Sequence, residues 1–337
     1  MKVLLYFEGE KVISKSGIGR AMKHQMAALT SQNIEYTLNP DDDFDILHIN
    51  TIGPNSSTII RKARNKGKKV IYHAHSTEED FRNSFMLSNQ IAPLFKKRLV
   101  HLYSKADRII TPTPYSKKLI ESYGIKLPVH AISNGIDLNK FNYNEDKIKA
   151  FREYFQLKED EKVVICVGLF FVRKGILDFI EVAKRLPEYK FIWFGHVPLY
   201  SIPKQIRDIV TKDHPSNVIF PGYVSGPVIE GAYCGGDAFF FPSMEETEGI
   251  VVLEALASYQ QVILRDIPVY DPWMQDKVNC YMGHNVEEFT KLVDDVVNKR
   301  LPDVSEEGRK TAAKRSIEEV GKELRQVYEL VLKDENE

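Results

Sequence analysis

Glu246 and Glu254, eight positions apart, are the residues of this chain that say most about chemistry. The segment Pro242-Ser243-Met244-Glu245-Glu246-Thr247-Glu248-Gly249-Ile250 runs into Val251-Val252-Leu253-Glu254-Ala255. The apolar run Ala238–Phe241 before it predicts a strand, and the residues after Gly249 predict a helix. Glu246 then falls in the loop after the strand and Glu254 on the helix. Carboxylates accept hydrogen bonds from vicinal hydroxyls in pairs. The backbone N–H groups of Thr247, Glu248, Gly249 and Ile250, at the start of that helix, are suited to an anion through unsatisfied donors and the helix dipole.

Three other segments carry candidate chemistry. Gly168-Leu169-Phe170-Phe171-Val172-Arg173-Lys174-Gly175 follows the apolar run Val163–Val167 and sets two cations, Arg173 and Lys174, just beyond a strand end. Ser16-Gly17-Ile18-Gly19-Arg20 lies between a strand and an amphipathic helix, where Gly17 and Gly19 let backbone approach a ligand closely. It lacks the third glycine of a dinucleotide fingerprint. His73-Ala74-His75 also follows a strand, with His73 expected to face the core. Asp41-Asp42-Asp43 has the Asp-x-Asp spacing of metal-dependent diphosphate sites, but it precedes the strand Ile46–Ile49 and acidic turn chemistry accounts for it. No metal site is expected.

These residues need strands to carry them, and the chain supplies short apolar runs alternating with helical patterns. Val3–Phe7, Ile46–Ile49, Val70–Tyr72, Ile109–Thr111 and Val129–Ile132 read as buried parallel strands, with Ile18, Met22, Met26 and Leu29 at helical spacing between the first two. After a polar stretch from Asn139 to Lys162 the pattern restarts with Val163–Val167, Phe191–Phe194, Val218–Phe220, Ala238–Phe241 and Val262–Leu264. The expected fold class is α/β, with two Rossmann-like, doubly wound domains facing a deep interdomain cleft. Residues 1–145 form the first domain, 146–305 the second, and 306–337 a helical tail packing back toward the first. Ile317, Val320, Leu324, Val327 and Leu330 make one apolar stripe on that tail.

Composition agrees with a soluble enzyme: 43% hydrophobic and 28% charged residues in 337 argue against disorder and against a membrane-spanning bundle. No stretch approaches the roughly 20 apolar residues of a bilayer span. Glu8 and Glu10 interrupt the first apolar run before a secretion signal could form. Cys166, Cys234 and Cys280 are odd in number and lack paired metal spacing, which fits a reducing cytoplasm. Residues 1–145 hold 21 Lys/Arg against 14 Asp/Glu, and residues 146–337 hold 25 against 33. The basic half suggests an anionic partner such as a phospholipid surface, not a nucleic acid.

The Glu246–Glu254 segment resembles the Glu-x7-Glu signature of family 4 retaining glycosyltransferases with the GT-B fold, and the likeness extends over nearly the whole chain. The resemblance implies that Glu246 hydrogen-bonds the donor hexose in catalysis and that Glu254 holds the nucleotide ribose. Lys174 matches the family's diphosphate lysine. Where the family carries Arg directly after the first Gly, this chain has Leu169, and Arg173 is inferred to supply that charge. The usual Glu-Gly-Phe-Gly is Glu246-Thr247-Glu248-Gly249 here. Gly17 and Gly19 match the family's N-domain glycine loop, and His75 aligns with its histidine near the transferring sugar. Asn134-Gly135 also matches, though a turn accounts for it. The implied reaction is hexosyl transfer from a UDP-sugar with retention, by front-face attack, with no cofactor.

The acceptor is narrowed by a second set of residues. Leu94, Phe95, Leu99 and Leu102 alternate with Lys96, Lys97, Arg98 and His101, a pattern that suits an anionic membrane surface as well as an ordinary core-facing helix. Arg61–Lys69 adds a basic run. Through the glycine loop, the His75–Phe85 stretch and the Glu246–Glu254 segment together, the chain is similar to Gram-positive enzymes that add a second hexose to monoglucosyl-diacylglycerol, using UDP-glucose or UDP-galactose. The implied location is the cytoplasm, peripherally on the inner face of the membrane. A soluble or polysaccharide acceptor, a nucleotide-sugar epimerase of the same architecture and a non-catalytic sugar- or lipid-binding module are the alternatives.

Overall fold

The computed structural model describes residues 1–9 and 17–334. They divide into two compact units. The first comprises Met1–Asp80, Gln90–Asp137 and the chain from Arg315 onward; the second comprises Phe81–Asn89 and Leu138–Lys314. The chain therefore leaves the first unit for nine residues at Phe81 and leaves it again at Leu138.

The first unit contains a six-stranded, wholly parallel sheet: β1 (Lys2–Tyr6), β2 (Glu35–Thr37), β3 (Ile46–Ile49), β4 (Lys69–His73), β5 (Arg108–Thr111) and β6 (Val129–Ala131), in the order β2-β1-β3-β4-β5-β6. Alternate residues of a strand face opposite sides, and helices cover both. Val3, Leu5, Ile46, Ile71 and Ile110 pack on helices Gly17–Ser31 and Ile317–Lys333. Leu4, Leu47, Ile49, Val70, Tyr72 and Ile109 pack on Ser56–Asn65, Ser88–Tyr103 and Pro114–Ser122. At Gly321 a Cβ would lie 2.6 Å from the Ala28 carbonyl oxygen, so the absent side chain is what lets the first two helices meet this closely.

The second unit contains β7 (Val163–Val167), β8 (Lys190–Phe194), β9 (Val218–Gly222), β10 (Ala238–Phe241), β11 (Val262–Arg265) and β12 (Tyr281–Gly283), again parallel, in the order β12-β11-β10-β7-β8-β9. Its core is aromatic: Phe179 meets Phe191 and Trp193 edge-on and stacks near Phe240, which in turn contacts Phe289. In both sheets the order reverses beside the first strand, the place where open α/β sheets bind ligands beyond the strand carboxyl ends.

The ten apolar runs all appear as strands. Two further strands, β2 and β12, are three-residue edge strands whose sequences, Glu-Tyr-Thr and Tyr-Met-Gly, are too short and too polar to stand out. The helical tail comprises two helices. Ser305–Ala313 ends before Ser316, whose side chain caps Ile317–Lys333 by accepting from the Glu319 N–H at 3.3 Å. The break lies where the chain passes from the second unit to the first. On the last helix Leu330 is exposed, and Tyr328 and Val331 take its place on the buried face.

Candidate active site

In the second unit β7 and β10 are neighbours, so the loops leaving their carboxyl ends meet although their residues lie far apart in sequence. Lys174 closes a short 3-10 turn, Val172–Lys174, and its ammonium is hydrogen-bonded to Glu246 Oε1. Ser243 Oγ donates to the same oxygen at 2.6 Å. Arg173 braces the loop from the other side: Nη1 donates to the Glu245 carbonyl at 3.0 Å, Nε donates to Ser84 Oγ at 2.8 Å, and its carbonyl accepts from Met244 N–H at 2.7 Å. Glu246 is only 5% exposed. Burial pushes its carboxyl up; the charges of Lys174 and Arg173, with the bonds from Lys174 and Ser243, outweigh this and hold it below the usual carboxylate range. Glu246 is an anion fixed against a cation.

The loop then turns at Gly249, whose φ of +90° is left-handed and suits glycine, and enters the helix Ile250–Ala257. Glu248 and Gly249 are buried, Thr247 and Ile250 half-buried. Glu254 is the fifth residue of this helix. It sits buried on the helix and accepts a hydrogen bond from the Tyr233 hydroxyl. Lys174 and Ser243 thus bond Glu246, and Tyr233 bonds Glu254, within one unit.

Phe81–Asn89 contributes to this unit as well. Asn83 accepts from the Arg173 N–H at 3.2 Å, Met86 N–H donates to the Ser201 carbonyl at 3.0 Å, and the Phe85 and Phe171 rings meet edge-on at 4.7 Å. Arg173, inferred from sequence to face the donor diphosphate, is 7% exposed and shares its guanidinium with the Glu245 and Ser84 oxygens. These two bonds tie its side chain to the loop that holds Glu246.

In the first unit Glu8 and Asn50 follow the adjacent central strands β1 and β3, and His73 ends β4 with His75 just beyond it. His75 Nε2 lies 2.9 Å from Asn50 Oδ1, and Gln25 Nε2 donates at 2.8 Å both to Asn50 Oδ1 and to His73 Nδ1. His48 Nε2 is 3.2 Å from His73 Nδ1, and His48 Nδ1 is 2.6 Å from the Tyr328 hydroxyl. The rings stack, His48 on His73 at 5.3 Å and His73 on His75 at 4.0 Å. Burial holds His48 and His75 down to about 3 and, with the neighbouring imidazoles, holds His73 well below its ordinary value, so all three are neutral near pH 7. Gly17 and Gly19 open the helix that carries Gln25; a Cβ at Gly17 would meet nothing within 4 Å among the described residues. Ser16 lies outside the described residues.

Two family models match, Glycosyltransferase Family 4 over residues 17–140 and Glycosyl transferases group 1 over residues 147–315. The chain is 50% identical over 334 residues to the processive diacylglycerol alpha-glucosyltransferase of Acholeplasma laidlawii, covering 99% of each. The chain belongs to glycosyltransferase family 4. It is also 24% identical over 290 residues to the alpha-galactosylglucosyldiacylglycerol synthase of Streptococcus pneumoniae, covering 84% of this chain and 77% of that one. Among solved structures, HepE of Anabaena in complex with UDP and glucose superposes with a TM-score of 0.80 at 14% identity, covering 98% of this chain and 99% of that one. Sucrose-phosphate synthase of Thermosynechococcus elongatus gives 0.80 at 15% with the same coverage. At such identities these two speak to fold, and the fold is GT-B.

The remaining predicted residues of this glycosyltransferase fall as follows. Lys96 lies 3.2 Å from the Glu78 carboxylate and over the Tyr123 ring, while Arg98 donates to the Ile52 and Gly53 carbonyls at 2.6–3.0 Å. Lys97 is exposed, and so are Ile91 and Leu94 on the same helix. Asp42 accepts from Thr37 and Asn39, and Asp43 pairs with Lys68, so the acidic triplet works as a turn. Among the described residues no group of three His, Cys, Asp or Glu side chains could hold a metal ion, and no helix is long and apolar enough to cross a membrane. Sequence reasoning missed Ser243, Ser84 and Tyr233, and it missed Gln25, His48, Asn50 and Tyr328 behind His75. The one available signal was His48 itself, a polar residue inside the apolar run Ile46–Ile49.

Proposed function

We propose that this glycosyltransferase transfers a hexose, with retention of configuration, from a UDP-sugar to a diacylglycerol glycolipid, most simply monoglucosyl-diacylglycerol. The observation that carries this reading is the 50% identity, over the whole length of both chains, to a diacylglycerol alpha-glucosyltransferase. That name favours UDP-glucose as donor, with UDP-galactose the second choice. UDP bound to the structural relative HepE supports a UDP-sugar.

In this reading Lys174 stabilises the departing diphosphate, and Glu246 orients the donor hexose by accepting from its hydroxyls. The ion pair between them keeps Glu246 ionised, so it acts as an acceptor and not as an acid. Glu254 accepts from the ribose hydroxyls, with Tyr233 holding the carboxylate in place. No protein nucleophile is required, because the leaving phosphate takes the acceptor proton during front-face attack. Arg173 acts through the Glu246 loop. Exposed Ile91 and Leu94, with Lys97 beside them, are the residues of the Ser88–Tyr103 helix suited to an anionic bilayer; Lys96 and Arg98 have internal partners.

The test is transfer of radiolabel from UDP-glucose and UDP-galactose, in parallel, to monoglucosyl-diacylglycerol in anionic mixed micelles. A diglycosyl lipid from one donor supports the reading and names the sugar. Label transfer only to water or to a soluble sugar overturns it in favour of a soluble acceptor.

A further inference from the structure

Asn83–Asn89, in the second unit, is a small loop closed by polar groups and tipped by apolar ones. At its base Asn83 N–H donates to Asn89 Oδ1 at 2.9 Å, Asn89 Nδ2 donates to Asn83 Oδ1 at 2.8 Å, and Ser84 N–H donates to Ser88 Oγ at 3.3 Å. Ser84 and Ser88 are buried. The tip is Phe85-Met86-Leu87. The Phe85 ring meets Phe171 and the Met86 N–H donates to the Ser201 carbonyl at 3.0 Å, yet the Met86 and Leu87 residues are 56% and 64% exposed. Loop tips ordinarily carry Gly, Asn, Asp or Ser. Here the polar residues close the base and the apolar ones face water.

The backbone points the same way. Leu87 has a φ of +62°, the left-handed region that a leucine enters at a cost. The loop therefore tolerates strain at a residue whose side chain gains little from the core. Next to Met86, the turn Leu199–Ser201 presents Tyr200, 78% exposed. Residues 81–89 and 195–212 hold Arg82, Lys204, Arg207 and Lys212 against one carboxylate, Asp208, in a unit with 23 Lys/Arg against 27 Asp/Glu. An apolar tip, an exposed tyrosine and a local excess of cations suit an anionic bilayer: acyl chains take the tip, the headgroup layer takes the tyrosine, and the cations meet lipid phosphates. A stable protein interface buries about 800 Å² on each side, more than a three-residue tip and one turn offer.

We infer that Met86 and Leu87, with Tyr200 beside them, form a membrane-inserting surface of the second unit. Ile91 and Leu94, named above, belong to the first unit, so the second unit gains a membrane contact of its own. Asn83 and Ser84 at the base of the loop bond Arg173, which bonds the Glu245 carbonyl, so the inserted tip is tied to the loop that holds Glu246. The choice of a bilayer rests in part on the glycolipid acceptor proposed above, and the two can fail separately.

The test uses the full chain and vesicles of equimolar phosphatidylglycerol and phosphatidylcholine. Trp193 and Trp273 are buried, so a tryptophan placed at the tip reports on its own surroundings. Leu87→Trp fluorescence is expected to shift to the blue when vesicles are added and to be quenched by brominated acyl chains. Glu188→Trp, exposed just before the amino end of β8, should respond to neither. A Leu87→Trp signal that ignores vesicles overturns the inference, and one that shifts with protein concentration alone assigns the tip to a second copy of this chain. Contacts on two units act together on one membrane, so losing either is felt: Met86→Asp with Leu87→Asp should weaken vesicle binding about tenfold with UDP affinity unchanged. Leu87→Asn separates docking from folding, because asparagine tolerates the left-handed backbone. It should melt no lower than the parent and bind vesicles more weakly; a lower melting temperature with vesicle binding intact refutes the inference. A parent that inserts this tip and glycosylates no diacylglycerol lipid sinks the proposed function and leaves the surface standing.

Discussion

Lys174→Met is the perturbation that questions the Glu246 loop most directly. It removes the cation bonded to Glu246, a carboxylate 5% exposed, and leaves only Ser243 and the nearby Arg173 charge to hold it. Breaking a buried ion pair by deleting one partner costs about 3–5 kcal/mol, because the surviving charge is left uncompensated. With Ser243 retained, about 3 kcal/mol is expected. At a urea dependence of about 2 kcal/mol per molar, the unfolding midpoint drops by about 1.5 M. The chain's two tryptophans, Trp193 and Trp273, are both buried in the second unit, so their fluorescence reports on the unit that contains the pair. Adding Glu246→Gln removes the stranded charge, and the double variant should regain about 2 kcal/mol relative to Lys174→Met.

The pH dependence supplies a second sign. In the parent the folded-state carboxyl is held below its ordinary value. That stability is fully present above the unfolded value, about 4.3, and is lost as pH falls through the folded one. In Lys174→Met burial is opposed less and pushes the carboxyl up, so the folded state gains protons first and acidification from pH 7 to 5 should stabilise the variant relative to its pH 7 value. A single-variant cost under about 1 kcal/mol, well short of the buried-pair range, with additive single and double variants, would refute the reasoning.

Other outcomes are expected. Glu254→Ala should lower UDP affinity about tenfold, the loss of a charge-assisted acceptor, read by calorimetry; unchanged affinity removes Glu254 from the ribose. Gly321→Ala puts a Cβ 2.6 Å from the Ala28 carbonyl oxygen and should cost about 1–3 kcal/mol by overpacking, seen as faster hydrogen exchange in helices Gly17–Ser31 and Ile317–Lys333. Unaltered exchange there would mean the helices do not depend on that contact. Ile91→Asp with Leu94→Asp should abolish binding to anionic vesicles, whereas Lys96→Ser should leave it nearly intact because Lys96 pairs with Glu78; the opposite ranking would return the membrane contact to the cations.

The reach of the sequence follows from what each feature depends on. Apolar runs such as Val163–Val167 and Ala238–Phe241 mark buried strands by composition alone, and their carboxyl ends locate Lys174 and Glu246. The pairing of those two residues depends on β10 lying next to β7, a sheet order that no local pattern encodes. The histidine cluster is harder still. His48, His73 and His75 come from β3 and β4, Gln25 from one covering helix and Tyr328 from another, and their meaning lies in which nitrogen faces which atom. The edge strands β2 and β12 escaped for the reason edge strands usually do: three residues with one neighbour need no apolar run.

Charge shows most sharply where composition misleads. Cut at residue 145, the halves carry +7 and −8. Assigned to the compact units, the acidic helix Ile317–Lys333 joins the first, which then holds 23 Lys/Arg against 20 Asp/Glu. Several of those cations are paired within that unit, among them Arg64 with Asp107, Lys68 with Asp43, Lys96 with Glu78 and Arg108 with Asp334. A pocket of that unit carries a carboxylate and neutral imidazoles, while Arg173 and Lys174 sit in the more acidic unit. The net charge of a unit thus does not give the sign of the groups at its strand ends. Burial explains why: a cation held among low-dielectric walls acts on a ligand far more strongly than many screened surface charges. A few desolvated groups, such as Glu246 and its partner Lys174, therefore weigh more than the net charge of the unit that carries them.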